Sequence, residues 1–415
     1  MKIFNFTIYN FQSIFNAQFS IFKCNCTLLI DNSLKIVKLK IENFVMTIGI
    51  EASHGNKIER TGVENYCFNV IQGLKKQIPS DVRVILYSNK PLHAGWGELP
   101  KNWEVKILKW PFKKLWSQIR LSFEFLFHPP DIFFAPGQLV PFIAPKKTVV
   151  TVHDSAFLFF PEAYRFFSRQ YLKFMDQLII KKAKIILTPS EFSRSELLKN
   201  YKFKGEVVVT PLAYNSAVYK ILSKEEIEPI LKKYNIVKPF LVFLGRLESK
   251  KNVQGIIWAF NEIKQGFDCQ LLLLGKPGFG YEKIKEMIDN SPYKTDIAEL
   301  GWTKDDEAAR LLNAAEALVF PSLYEGFGLP VLEAMACGCP VVVSCGNSLE
   351  EVEGEVASCV DSSKTDEIAR ACLKLLKDKE FRELKAEQGL ERVKNFFWEK
   401  TAEKTWKALE SLSKN

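Results

Sequence analysis

A cationic loop in the second half of the chain has the composition of a diphosphate-binding site. Arg246 and Lys251 follow Gly245 on the segment that comes after the apolar run 240–244. A guanidinium and an ammonium that converge after a strand can neutralise a diphosphate and form charge-assisted hydrogen bonds with its oxygens. The alternative is a pair of solvated surface cations.

A second motif combines two carboxylates with glycines and follows the apolar run 317–320. It reads Glu325-Gly326-Phe327-Gly328-Leu329-Pro330-Val331-Leu332-Glu333. Pro330 suits the first turn of a helix and Gly338 its end, which predicts a helix over residues 330–337. The amino end of such a helix attracts phosphate, and the two carboxylates could bind sugar hydroxyls. A strand–turn–helix without a ligand is the alternative.

Two weaker signals lie in the first half of the chain. His153 comes at the carboxyl end of the predicted strand 148–152 and is followed by Asp154. Neighbouring side chains of a strand point in opposite directions, so this adjacency predicts no His–Asp relay, and a hydrogen-bonded core histidine is the alternative. Gly62 supplies one glycine of a dinucleotide fingerprint whose other glycines are missing.

Alternating strands and helices must position these residues. Short apolar runs alternate with helical periodicity from Met46 onward, which predicts an α/β fold with parallel sheets and ligand sites beyond the carboxyl ends of the strands. The clearest helix covers residues 62–76, and Thr61 and Glu64 form its capping box. The predicted strands are 47–52, 83–88, 104–108, 131–134, 148–152, 184–187 and 206–209, then 239–244, 270–274, 296–300, 317–320 and 340–344.

The pattern divides into two domains. Residues 46–222 form the predicted N-terminal domain and residues 239–392 the predicted C-terminal domain. A linker at 223–238 contains a charged helix over 224–234, and a last amphipathic helix covers 394–412 within the segment 393–415. Residues 1–45 are predicted to be an upstream extension or unstructured, because polar residues interrupt the uncharged stretch 3–22 and Met46 opens the first strand. A weak membrane anchor and a genuine structural element are the alternatives.

The composition excludes some classes of binding partner and leaves others open. The net charge of +9 fits phosphorylated substrates, anionic lipid or nucleic acid, but no RNA-binding aromatic signature is present, so no nucleic-acid partner is predicted. The nine cysteines lack zinc-ligand spacing. They are predicted to be small buried hydrophobic residues of a protein in a reducing cytosol.

A basic segment with interleaved aromatic residues predicts weak contact with an anionic membrane surface. Its cations are Lys101, Lys106, Lys109, Lys113, Lys114 and Arg120, its one acid is Glu104, and its aromatic residues are Trp103, Trp110, Phe112 and Trp116. From Pro111 the apolar residues recur with helical spacing, through Leu115 to Ile119. The alternative is that the aromatic side chains pack on the sheet.

Together these residues resemble the retaining glycosyltransferases of family 4, which have the GT-B fold, over about Met46 to Trp406. The most specific part is residues 320–338, which is similar to the E-x7-E element of the family. The segment 245–252 is similar to the donor loop, with Asn252 where glycine is common. Segments 210–211, 300–302 and 348–352 also fit. Members most like this chain often carry a histidine where Gln138 stands, which leaves the acceptor open.

The resemblance implies two Rossmann-like domains that face a central cleft, the N-terminal one on the acceptor side and the C-terminal one binding the donor, with the last helix crossing back. It implies catalytic roles for His153, Glu325, Arg246 and Lys251. It implies donor binding by Gly62, Gly245, Arg246, Lys251, Gly326, Phe327, Gly328, Leu329 and Glu333.

The activity that the resemblance implies is metal-independent, retaining hexosyl transfer in the cytoplasm, peripheral to the inner face of a membrane where the acceptor is lipid-linked. Mannose from GDP-mannose is favoured over a UDP-sugar, the acceptor is a glycan or a lipid-linked glycan, and no cofactor or metal is expected. The alternatives are a sugar-nucleotide 2-epimerase of the same fold and a non-catalytic sugar-binding protein.

Overall fold

The computed structural model describes residues 5–6, 26–31, 36–41, 46–112 and 115–413. It contains two α/β domains, each built on a parallel sheet, so the predicted GT-B architecture is confirmed. The strands are β1 Asn5–Phe6, β2 Cys26–Asp31, β3 Ile36–Ile41, β4 Met46–Glu51, β5 Val82–Ser88, β6 Trp103–Ile107, β7 Ile132–Ala135, β8 Lys147–Thr151, β9 Ile185–Thr188, β10 Glu206–Val209, β11 Phe240–Leu244, β12 Gln270–Leu274, β13 Ile297–Gly301, β14 Ala317–Phe320, β15 Val341–Ser344 and β16 Ser358–Val360.

The helices cover the faces of the two sheets. They are α1 Gly62–Gln77, α2 Leu121–Phe127, α3 Ala156–Phe159, α4 Phe166–Lys182, α5 Glu191–Asn200, α6 Lys224–Lys233, α7 Val253–Ile263, α8 Tyr281–Asp289, α9 Asp305–Ala314, α10 Leu329–Ala336, α11 Ser348–Glu353, α12 Thr365–Lys377, α13 Lys379–Val393 and α14 Trp398–Ser411. Among the residues described, no helix is long and apolar enough to cross a membrane.

Strand order places the cleft. The first sheet runs β10-β9-β8-β7-β4-β5-β6 and the second β13-β12-β11-β14-β15-β16. In the second sheet the order reverses between β11 and β14, and ligands of such sheets bind at the carboxyl ends of the strands on either side of the reversal. The loops after β11 and β14 carry the two predicted motifs, so the topology brings these motifs together.

The predicted strands agree with the structure to within one residue at each end. The strands inside the two sheets are buried on both faces, which explains why they read as continuous apolar runs. The edge strands β6, β10 and β13 are only partly buried. Strand β16 escaped prediction because it has only three residues, at the sheet edge, and Cys359 within it is exposed. Of residues 1–45 the structure describes only the antiparallel strands β1–β3, and the rest of that predicted extension lies outside the described residues.

The last helix returns to the first domain, as expected. Gly73 of α1 allows close packing there, because a Cβ on it would lie 2.6 Å from that of Ala402 in α14. Helix α14 begins at Trp398 rather than 394, because Phe397 is extended with φ −141°. Helix α6 lies within the predicted linker and packs on the second domain, where Lys233 donates a hydrogen bond to Glu307 at 2.7 Å.

The basic segment does not form the predicted helix from Pro111, and the alternative to a membrane-facing surface holds for two of its aromatic residues. Leu115 has a left-handed backbone, φ 65°, and the helical stretch begins at Trp116, as a π-helix over Trp116–Arg120 that continues into α2. Trp103, a residue of β6, and Trp116 are both buried in the hydrophobic core of the first domain. Phe112 is exposed, and Lys113 and Lys114 lie outside the described residues.

The cysteine prediction holds for five residues and fails for two, while Cys24 and the side chain of Cys26 lie outside what the structure describes. Cys67, Cys269, Cys337, Cys339 and Cys372 are buried and unpaired. Cys345 and Cys359 are exposed and joined as a disulfide, with their Cα atoms 5.4 Å apart. They follow or lie on the adjacent strands β15 and β16, whose pairing brings the two side chains together.

Candidate active site

The cationic loop starts where β11 ends. Gly245 has φ +152° and Gly275, after β12, has φ +154°. A Cβ on Gly275 would lie 1.7 Å from the carbonyl oxygen of Gly245, so only glycine lets these two loops meet. Arg246 follows and is exposed, which leaves its guanidinium accessible to a ligand.

The departure at Asn252 has a structural explanation. Asn252 has φ 54°, in the left-handed region that glycine and asparagine tolerate best. Its side chain accepts a hydrogen bond from Gly255 N at 3.3 Å and donates one to the carbonyl of Ser362 at 2.8 Å. Asn252 therefore has a backbone conformation that glycine would also tolerate, and its side chain caps helix α7.

Two predicted site residues contact each other directly. Lys251 forms a short ion pair with Glu325, which joins the cationic loop to the carboxylate motif. Both side chains are largely buried, and the Lys251 ammonium lies 5.2 Å from the centre of the Phe320 ring. The pair compensates two charges that would otherwise be costly to bury.

The amino end of α10 has the geometry of a phosphate site. Gly328 caps the helix with φ +109°, and Pro330 occupies its first turn. Among the residues that the structure describes, none accepts a hydrogen bond from the N–H groups of Phe327, Gly328 or Leu329. These donors and the positive end of the helix dipole can bind an anion.

Glu333 lies one turn into α10 and is buried. Burial, and then the charge of Asp305, raise the pKa of Glu333 to about 8, while a hydrogen bond from Tyr219 acts to lower it. A carboxyl group whose pKa lies near neutral pH can be protonated or ionised there, so it can bind a diol either as a donor or as an acceptor of hydrogen bonds. Tyr219 was not predicted from the sequence, which offers no motif around it.

His153 is placed at the cleft by the first sheet. It follows β8, is buried, and its Nε2 lies 2.8 Å from the carbonyl oxygen of Pro136. Burial lowers the pKa of His153 to about 4, so the ring is neutral at pH 7. Gln138, where relatives often have histidine, accepts a hydrogen bond from His153 N at 2.9 Å and donates one to the Asp154 carbonyl at 3.0 Å.

The two domains meet at the carboxylate motif. The Gly326 carbonyl accepts hydrogen bonds from the hydroxyls of Ser190 at 2.8 Å and Ser193 at 3.0 Å. A Cβ on Gly326 would lie 2.1 Å from the carbonyl oxygen of His153, so glycine is required for this approach. The structure thus brings His153 of the first domain beside residues 325–328 of the second.

Gly62 does not join this cluster by any contact. It is exposed as the first residue of α1, a Cβ on it would have open space around it, and the predicted capping box of Thr61 and Glu64 is present. Sequence reasoning missed Glu51, the last residue of β4, and His54, which lies in the loop after it. The rule that directed attention to His153, that ligands bind beyond strand ends, would have found them.

Comparisons with known proteins assign the family. Residues 60–217 match the model described as Glycosyltransferase Family 4, and residues 223–392 match Glycosyl transferases group 1. The chain is 31% identical over 308 residues to O-antigen chain mannosyltransferase B of Escherichia coli, covering 73% of this chain and 78% of that protein. It is 29% identical over 267 residues to the mannosyltransferase WbdA of Escherichia coli, covering 62% of this chain but only 32% of WbdA.

Solved structures share the fold at low sequence identity. Sucrose-phosphate synthase from Thermosynechococcus elongatus superposes with a TM-score of 0.69 at 18% identity, covering 88% of this chain and 99% of that chain. HepE of Anabaena, solved in complex with UDP and glucose, gives a TM-score of 0.68 at 18% identity, with 88% and 99% coverage. Both likenesses support the two-domain architecture.

Proposed function

Since the chain belongs to the family 4 glycosyltransferases, we propose that it transfers mannose from GDP-mannose to a glycan or lipid-linked glycan, with retention of configuration and without a metal ion. The observation that carries the proposal is the meeting of the cationic loop, the open amino end of α10 and the Glu325 carboxylate at one sheet edge. The mannosyltransferase relatives favour the sugar.

The donor diphosphate would lie between the cationic loop and α10. Arg246 and Lys251 supply two positive charges, and the N–H groups of Phe327, Gly328 and Leu329 supply donors of fixed direction. Lys251 would exchange its ion pair with Glu325 for the phosphate, which frees Glu325 to accept hydrogen bonds from the hydroxyls of the sugar. Glu333, one turn further along α10, would bind the ribose diol.

Transfer then needs no carboxylate nucleophile. As charge develops on the leaving diphosphate, Arg246 and Lys251 stabilise it, and a phosphate oxygen takes the proton of the attacking acceptor hydroxyl on the same face of the sugar. His153, neutral and buried, would face the sugar from the other domain. The hydroxyls of Ser190 and Ser193 join the two domains at the Gly326 carbonyl. Closure of the cleft around the donor would exclude water and so limit hydrolysis of the donor.

A donor screen tests the proposal. Nucleotide release would be measured with GDP-mannose, UDP-glucose and ADP-glucose in the presence of mannose-terminated oligosaccharides, and the anomeric configuration of the product would be read by NMR. We expect the fastest release with GDP-mannose and an α-linked product from the α-linked donor. A β-linked product would contradict retention, and an epimerised donor would indicate a different reaction.

Activity is expected to persist in excess EDTA. In this account the positive charges of Arg246 and Lys251 take the place that a divalent ion has in metal-dependent transferases. The measurement is the rate of nucleotide release before and after exhaustive chelation. Loss of the rate on chelation, with recovery on adding manganese or magnesium, would show that the donor site has been assigned incorrectly.

The first domain also presents an aromatic surface that would suit a lipid-linked acceptor. We define it as Phe166, Phe167, Tyr171 and Phe174 of α4 with Phe142, Phe123 and Phe127, all of them exposed. The rings of Phe142 and Phe174 lie 6.2 Å apart, and those of Phe123 and Phe127 lie 5.3 Å apart. Phe142 N donates a hydrogen bond to the carbonyl of Gln118, in the π-helix that leads into α2. The one acid of α4, Asp176, is buried, whereas cations flank the aromatic residues.

We expect the aromatic surface to bind anionic vesicles weakly and reversibly. Exposed aromatic residues beside cations favour the interface of an anionic bilayer, and salt screens the charge contribution. Replacing Phe166 and Phe167 by Ser should weaken partitioning of the protein onto the vesicles at low salt by about tenfold or more. The reason is that two aromatic rings would no longer be buried in the membrane interface. Co-sedimentation with phosphatidylglycerol vesicles measures it, and Phe279→Ser, an exposed aromatic of the second domain, is the control. Equal binding by all three proteins would contradict this surface.

A further inference from the structure

A buried carboxylate ends β4, a strand of the seven-stranded sheet, and a histidine lies in the loop after it. Neither residue has a role in the proposed donor binding. Glu51 is the last residue of β4 and is buried. One oxygen of its carboxylate accepts hydrogen bonds from the backbone and hydroxyl of Ser53, and the other lies 2.6 Å from Nδ1 of His54. The Glu51 carboxylate is fixed by Ser53 and in turn holds the His54 ring at Nδ1. The other ring nitrogen, Nε2, is therefore left to bind another group.

The His54 ring is fixed on one side and accessible on the other. It packs against Gly137, where a Cβ would lie 2.7 Å from Cγ of the ring and 2.9 Å from Nδ1. Within the described part of the chain, no group hydrogen-bonds to Nε2, and 24% of the side chain is exposed. The absence of a side chain at Gly137 therefore makes room for the His54 ring.

His54 lies at the edge of the first sheet that also carries His153. Strands β4, β7 and β8 are neighbours in the first sheet, and His54, Gly137 and His153 follow them in that order. The backbone of His153 touches Gly326 of the carboxylate motif. This edge therefore faces the residues that would hold the transferred sugar, and an attacking hydroxyl has to lie between the two.

The two histidines have opposite environments. Burial lowers the pKa of His153 to about 4. Burial also acts to lower the pKa of His54, but the charge of Glu51 and its hydrogen bond raise it overall, with small opposing contributions from Lys57 and Glu64. His54 is therefore the histidine that can carry a proton and donate a charge-assisted hydrogen bond, whereas His153 stays neutral.

We propose that His54, oriented by Glu51, binds a hydroxyl of the acceptor glycan and directs it toward the donor sugar. His54 is then an acceptor-binding residue, and Glu51 a positioning residue that acts through it. The inference rests on the proposed glycosyl transfer, but it is independent of which nucleotide or sugar the donor carries.

Separate measurements of donor and acceptor use test the proposal. With a mannose-terminated oligosaccharide as acceptor, His54→Gln should lower kcat/KM for the acceptor by about 10- to 100-fold, as expected for a lost hydrogen bond to a charged group. The slow release of nucleotide without acceptor should stay at the wild-type rate. Gly137→Ala, which displaces the ring without removing it, should show the same acceptor defect. His128→Gln, at an exposed histidine on α2's end, should behave as wild type.

The outcomes separate this inference from the donor assignment. If wild type releases no nucleotide from any donor, the proposed function fails. If wild type transfers sugar but His54→Gln uses the acceptor equally well, or loses acceptor-independent release in parallel, the role of His54 is wrong.

Histidine NMR gives an independent readout, since the chain has four histidines that single substitutions can assign. The oligosaccharide should shift the His54 ring resonance and leave those of His93 and His128 in place. An unmoved His54 resonance at saturating oligosaccharide would overturn the proposal.

Discussion

Arg246→Ala is expected to lower the turnover of donor by about 10²–10³-fold, which corresponds to the roughly 2–4 kcal/mol that one preorganised charge contact contributes in a dry site. The fold should survive, because Arg246 is exposed and its place in the loop is set by the backbone of Gly245. Initial rates of nucleotide release at saturating donor measure the loss. Thermal unfolding measures the fold.

Arg370→Ala is the matched control for that experiment. Arg370 is an exposed arginine of the same domain whose ion pair with Asp366 lies on helix α12, away from the cleft. Its removal should leave turnover unchanged. Lys251→Ala should lose as much activity as Arg246→Ala, but it also leaves Glu325 without its partner, so the arginine variant is easier to interpret. Wild-type turnover in both variants would remove the cationic loop from the site.

Glu333→Gln is expected to stabilise the free protein at alkaline pH and to weaken nucleotide binding. The raised pKa of Glu333, about 8, means that ionising it costs folding free energy. The penalty is absent below the ordinary glutamate value near 4.5, grows as pH rises toward 8 and is constant above. A neutral amide escapes this penalty, with a gain on the order of 4–5 kcal/mol at pH 8.5 and about 1 kcal/mol or less at pH 5.

The same substitution should weaken nucleotide affinity by about tenfold or more, because the amide replaces a carboxyl group that would hold the ribose diol. Chemical denaturation at pH 5 and 8.5 and nucleotide titrations measure the two effects. Glu353→Gln is the control, since burial also raises the pKa of Glu353 but that residue lies outside the cleft on α11. Unchanged nucleotide affinity in Glu333→Gln would contradict the ribose assignment.

The strands and the donor motifs were predictable for physical reasons. Parallel strands buried on both faces appear as uninterrupted apolar runs. Glycine and proline mark the beginning of helix α10, so its predicted first residue lies within one position of the observed one. The convergence of the two motifs follows from strand order, since β11 and β14 are neighbours at the reversal point. The ion pair of Lys251 with Glu325 could not be read from a separation of 74 positions.

What escaped prediction depends on tertiary contacts. Trp103 and Trp116 fit a membrane-facing pattern in sequence, yet both are buried in the core of the first domain. The exposed aromatic residues of α4 were not predicted as a surface. In sequence, Gln138 was only a difference from the family pattern. In the structure it has a left-handed backbone, with φ 58°, and its side chain forms hydrogen bonds with the backbone of His153 and Asp154. The hydrogen bond between the His153 ring and the carbonyl of Pro136, 17 residues away, likewise depends on the tertiary fold.

Hydrogen exchange with and without nucleotide tests the central claim, that the second domain holds the donor diphosphate. GDP, UDP and ADP would each be added at saturation, and amide exchange followed in peptides that cover residues 240–252 and 322–337. At least one nucleotide should slow exchange in both segments, with the largest effect at the N–H groups of Phe327, Gly328 and Leu329, and should leave α13 unchanged. Protection confined to the first domain, or none with any of the three nucleotides, would contradict the account.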